Sequence, residues 1–112
     1  MNPSPNSDPM LVTIEYAIDP ARAREFVSAM QGVRSLRLRD GAYRWGLFND
    51  PAQPARYVET FVVASWAEHL RQHERVTVAD RETEDVARAF HVGATPPVVS
   101  HLISARHQTT HK

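Results

Sequence analysis

Cysteine is absent from this 112-residue chain, which excludes disulfides, thiolate nucleophiles and cysteine-ligated metal sites. Net charge is absent too: 13 Lys and Arg balance 13 Asp and Glu, so no nucleic-acid footprint is expected. Lysine is almost missing, Lys112 being the only one. Arginine carries the basic charge and alanine is abundant, a composition typical of a GC-rich bacterial genome. No apolar run nears the roughly 18 residues that cross a bilayer. The opening MNPSPNSDP has neither the basic nor the apolar block of a signal peptide. A cytoplasmic protein with no membrane insertion is the resulting expectation. Neither repeats nor an interdomain linker are visible, and the length suits one domain that buries roughly two-thirds of its unfolded surface.

What is present is an alternation of strand and helix patterns between two polar ends. Residues 1–9 and 106–112 carry nothing to bury and read as flexible tails, leaving 10–105 as the domain. Leu11 to Ile18 alternates, with Val12, Ile14, Tyr16 and Ile18 on one face, and reads as a strand. Asp19-Pro20 is an N-cap followed by proline at the first helical position. Phe26, Met30 and Val33 then recur at helical spacing. Arg34, Arg37 and Arg39 fall at the helix end, where cations suit the dipole and a solvated surface is expected. Asp40-Gly41 ends the helix. Ala42 to Phe48 reads as a second strand with Tyr43, Trp45 and Leu47 on one face, and Asn49 to Ala55, with two prolines, as a seven-residue loop. Arg56 to Ala64 is a third strand, whose Tyr57, Glu59, Phe61 and Val63 share a face. Ser65 and Glu68 form a capping box. The helix that follows has Trp66, Leu70 and His73 on one stripe and breaks near Asp80, a candidate cap for its second segment. Val98 to Ser104 is the last strand. The order βαββαβ is the ferredoxin-like α+β arrangement. One layer of helices leaves the other sheet face half apolar and open, and a second copy of the chain is its economical cover.

Glu59 is the carboxylate of most chemical interest, because it sits mid-strand on a largely apolar face and needs a partner there. Arg44, Arg75 or a histidine are the partners within reach. Glu59 then serves either as a general base or ligand anchor, or as half of a structural ion pair. Glu15 poses the same question. His69 and His73, at i and i+4 of one helix, share a face. They have metal-ligand spacing that Glu59 or His101 would have to complete, yet no metal motif surrounds them, and no metal is expected to be required. Tyr43, Trp45, Tyr57, Phe61 and Trp66 either line an apolar pocket for a planar ligand or form simple core. His101 on the last strand faces the sheet interior as a ligand contact or a core histidine.

The segments LVTIEYAIDP, AYRWGLFND and RYVETFVVASWAEHLRQHERVTVAD, with AFHVG and VSHLI, resemble a soluble domain at the C-terminal end of certain bacterial major-facilitator-type transporters, the transmembrane secretion effector group. More broadly they are similar to the antibiotic-biosynthesis monooxygenase superfamily of dimeric α/β barrels. The resemblance covers Met10 to Ala105. It implies two sheets packed face to face in a homodimer with helices outside. In the enzymes it implies a pocket between sheet and helices, where a phenolic or quinonoid substrate is oxidised by dioxygen without metal, flavin or other cofactor. On that reading Glu59 and His73 are the catalytic candidates, and Tyr43, Trp45, Trp66, His69 and His101 bind a small aromatic molecule. Haem-degrading relatives use an asparagine on the first strand and a histidine late in the second helix. Thr13 and the early His69 and His73 depart from both, so haem degradation is not expected. The membrane helices of the transporters are not in this sequence, so transport is not expected of it either. The alternative is a non-enzymatic accessory or ligand-sensing module beside a transporter.

Overall fold

The alternating residues of the first strand pattern form β1 (Met10–Ala17), the centre of the architecture. The protein is known from a computed structural model that describes residues 8–74 and 76–105, without the side chains of Gln72 and His73. Most of the two expected tails lies outside the described residues. Asp8 and Pro9 lie inside, and the Pro9 carbonyl accepts from the Ser104 N–H at 2.9 Å, extending the sheet. Four antiparallel strands follow the order β2-β3-β1-β4, with β2 Tyr43–Asp50, β3 Gln53–Val63 and β4 Val98–Ile103. Helices α1 (Ala23–Arg39), α2 (Trp66–Glu74) and α3 (Val78–Arg88) complete the ferredoxin-like α+β fold.

Register decides which side chains meet. Val12, Ile14 and Tyr16 stand opposite Phe61, Glu59 and Tyr57 of β3, and Val12 and Ile14 also stand opposite His101 and Val99 of β4. Directly paired residues project to the same side, so these form one inner face. Helix α1 lays Phe26, Met30 and Val33 onto it. They close a core with Tyr16, Ile18 and Ala87, and a second cluster of Met10, Val12, Ala42, Phe61 and Val63 adjoins Trp66. As expected, Asp19 caps the chain's entry into α1: its carboxylate accepts from the Ala21 N–H at 2.9 Å, and one 3₁₀ turn, Pro20–Arg22, precedes the helix. Gly41 ends it with a φ of 107°, which side chains rarely tolerate.

Four local expectations need correction. The seven-residue loop is a tight turn, because Asp50 pairs with Gln53 and accepts from the Ala52 N–H at 2.8 Å. Asn49 donates to the Pro54 and Arg56 carbonyls, and so holds the proline-bearing strand in place. In β2 the register slips between Tyr43 and Gly46, where Arg44 adopts a φ of 57°. One extra residue there reverses the alternation. Tyr43 therefore pairs with Val62 on the outer face, while Trp45 and Leu47 stay inside. Helix α2 is rolled so that His69 is buried and Leu70 exposed. Finally, Thr77, not Asp80, caps α3; Asp80 is the reciprocal member of that capping box.

Asp80 also clamps α3 to α1, accepting from both terminal nitrogens of Arg39 at 3.1 and 2.8 Å. The Arg39 hydrogen bonds first, and the Thr77 N–H second, hold its carboxyl down from an ordinary 3.8 to about 2. A depressed carboxyl stabilises the fold fully above its unfolded value and ceases to do so as pH falls through its folded one. Urea midpoints should therefore fall as pH drops from about 4 toward about 2, and Asp80→Asn should flatten that limb. An identical acid limb in the variant would contradict the clamp.

Candidate functional site

The inward-facing carboxylate of β3 is the centre of the site. Glu59 is 0% exposed and closed on every side by donors. Its Oε1 accepts from the Tyr16 hydroxyl at 3.1 Å and from Arg37 Nη2 at 3.3 Å. Its Oε2 accepts from Arg37 Nε at 2.9 Å and from Trp45 Nε1 at 3.0 Å. The expected polar cluster is therefore present, but its cation is Arg37. Arg44 lies at the bulge, and Arg75 is outside the described residues.

Arg37 was expected at a solvated helix end, and this is corrected. Its side chain is 19% exposed. It continues the stripe Phe26, Met30, Val33 by one more helical step, so it points at the sheet. Its third nitrogen, Nη1, bonds Glu84 of α3 at 2.8 Å, and its guanidinium lies 4.9 Å from the centre of the Phe61 ring. Carboxylates on both sides raise the guanidinium's pKa against the opposing effect of burial. Burial first, and the Glu59 charge second, push the Tyr16 phenol well above its ordinary range. Tyr16 is thus a fixed donor to Glu59. Glu15, the other questioned carboxylate, is ion-paired to Arg56 at 2.9 Å on the outer face.

Beside this cluster a cleft of ≈ 650 Å³ opens between the inner face and α3. Its sheet side is Val12, Ile14, Tyr16, Phe61, Val99 and His101; its helix side is Val33 and Arg37 of α1 and Arg81, Glu84, Asp85 and Arg88 of α3. At one end His69 and His101 lie with ring centres 5.3 Å apart, and both flank Trp66, at 5.8 and 5.3 Å. Of the residues singled out from sequence, Phe61, His69 and His101 line the cleft and Trp66 backs the two histidines. Trp45 and Glu59 stand behind the lining, Tyr43 is on the opposite face, and the His73 side chain lies outside the described residues. Sequence reasoning missed Arg37, Tyr16 as a polar partner, and the α3 wall. Only Arg37 left a signal, through its place on the apolar stripe. Among the described residues no three His, Cys, Asp or Glu gather as a metal set, and no helix is long and apolar enough to cross a membrane.

The fold has counterparts among solved structures. A candidate antibiotic biosynthesis monooxygenase of Caulobacter crescentus superposes with a TM-score of 0.73 at 17% identity, over 89% of this chain and 92% of that one. A candidate of the same description from Bordetella bronchiseptica gives 0.72 at 18%, over 88% and 98%. A variant of SnoaB, a cofactor-independent oxygenase of Streptomyces nogalater, gives 0.70 at 16%, over 88% and 94%. At such identities the likeness is one of fold. No curated protein matches in sequence. Residues 2–109 match the family model described as transmembrane secretion effector, and the chain belongs to that family.

Proposed function

We propose that this chain binds a planar phenolic or quinonoid molecule in the cleft and oxygenates it without a cofactor. The observation that carries this reading is the cleft itself, an apolar sheet floor ending in an imidazole pair against Trp66. Its volume falls in the range of roughly 300–1,000 Å³ usual for small-molecule sites. The reaction needs a base and a water-poor surface. Once deprotonated, the phenol is itself the reductant and gives four electrons to dioxygen. One oxygen atom replaces a ring hydrogen as a quinone carbonyl, and the other leaves as water. The base is an imidazole at the cleft end, His69 or His101, with His73 one turn further along α2 as the third candidate. Glu59 has no free lone pair to offer, so its role is to position Arg37 and Tyr16. The second reading, a ligand-sensing module beside a transporter, draws on the family match.

Titrating dihydroxynaphthalene tests both. Saturable quenching of Trp45 and Trp66 fluorescence, with one dioxygen consumed per quinone formed, supports the enzyme. Quenching without oxygen uptake supports the module, and no quenching removes the cleft reading altogether.

The same proposal includes a homodimer through the outer sheet face. That face presents Phe48, Val98 and Leu102, each more than half exposed, around the half-buried Leu11, Val58 and Val62. Sedimentation should give twice the 12.7 kDa chain mass at micromolar concentration, and Leu102→Asp should shift it toward monomer. A wild-type monomer under those conditions would remove the dimer from the proposal.

A further inference from the structure

The α3 wall of the cleft differs in kind from the sheet floor. Ala87 of this helix is buried in the core, Thr83 meets Gly32 of α1, and Glu84 is taken by Arg37. What remains toward the cleft is the stripe Arg81, Asp85 and Arg88, spaced i, i+4 and i+7. Neither guanidinium has a hydrogen-bonding or ion-pair partner among the described residues, which is equally true of Arg24, Arg34 and Arg44 on the surface; what sets Arg81 and Arg88 apart is that they line the cleft. Asp85 lies between them on the stripe with no side-chain partner, while Glu84, which also lines the cleft, is bonded to Arg37. The facing floor is Val12, Ile14, Phe61 and Val99, with the Tyr16 hydroxyl already given to Glu59 and His101 beside His69.

We infer that Arg81 and Arg88 form an anion subsite, and that the cleft's ligand is an aromatic acid with its ring on the sheet and its carboxylate toward α3. This rests on the proposed ligand-binding cleft and narrows its substrate class. An arginine fork suits a planar carboxylate, which it can hold through two parallel hydrogen bonds. The field of Arg88 already reaches into the cleft, where it acts on the Tyr16 phenol against the larger effects of burial and Glu59. Arg37 is already met by both Glu59 and Glu84, so the charges of the wall balance, and its open donors are the guanidinium groups of Arg81 and Arg88; a carboxylate can take them where an ester cannot.

The probes are hydroxynaphthoic acid, its methyl ester and naphthol, titrated into the full chain with tryptophan fluorescence as the readout. The acid should bind about tenfold or more tighter than the ester, as one charge-assisted contact implies. Added salt should erode that advantage and leave the ester's affinity in place. In the Arg81→Gln, Arg88→Gln double variant, whose changes are on the helix surface, acid and ester should converge. If acid and ester bind equally to the wild type, the subsite is refuted and the cleft reading stands. An acid preference that survives the double variant also refutes these residues as its source. If none of the three probes binds, both readings fall together.

Discussion

Replacing Arg37 by methionine should lower the unfolding free energy by about 3–5 kcal/mol, because it strands the fully buried Glu59 charge. Tyr16 and Trp45 remain as donors, but neither carries a charge. Changing Glu59 to glutamine in the same background removes the stranded charge, so the double variant should be more stable than the sum of the single losses by about 1–3 kcal/mol. Arg37→Lys is informative because one ammonium cannot reproduce the two bonds to Glu59 and the third to Glu84. It should lose about 1.5–3 kcal/mol. Urea unfolding followed by circular dichroism measures all four. An Arg37→Met loss under about 1 kcal/mol would mean that Glu59 is not held as a buried anion.

Much of this cluster is legible in the sequence. Alternation along β3 aimed Glu59 inward, and the cost of burying an unpaired carboxylate demanded a cation. The identity of that cation was harder to read, because Arg37 was classed with its neighbours Arg34 and Arg39 by charge. Period was the better guide: Phe26, Met30, Val33 and Arg37 lie on one stripe, and a charge on a buried stripe calls for a buried partner. Tyr43 was misplaced for a different reason. The bulge at Arg44 requires a left-handed backbone at a residue that rarely takes one, and nothing in the local pattern marks it. The hairpin was misread because two prolines suggested a loop, while the Asp50 and Asn49 side chains close the turn around them. The wall of α3 depends on helix rotation. It follows from Thr83 packing at Gly32 and Glu84 reaching Arg37, contacts that join segments far apart in sequence.

The second large effect is expected at Phe26, where Phe26→Ala should cost about 3–5 kcal/mol. Phe26 is 0% exposed and lies where α1 first meets the sheet. Its ring centre is 5.1 Å from that of Tyr16, 5.5 Å from Tyr57 and 6.2 Å from Phe90, in tilted and edge-on arrangements that favour aromatic pairs. Deleting the ring leaves a void among side chains that cannot all move. Tyr16 is tied through its hydroxyl to Glu59, and Phe90 ends the segment after α3 with the Arg22 guanidinium 4.6 Å from its ring centre. The void therefore stays open, which places the cost at the upper part of that range. The consequence for the site is directional. Tyr16 lines the cleft, so an open void behind it removes the packing that backs its ring and loosens the cleft floor. Unfolding by urea should show a lower midpoint at unchanged slope, and the variant's affinity for dihydroxynaphthalene should fall although Phe26 does not line the cleft. A loss under about 1 kcal/mol would mean that the aromatic cluster repacks around the missing ring and is not a fixed support for Tyr16.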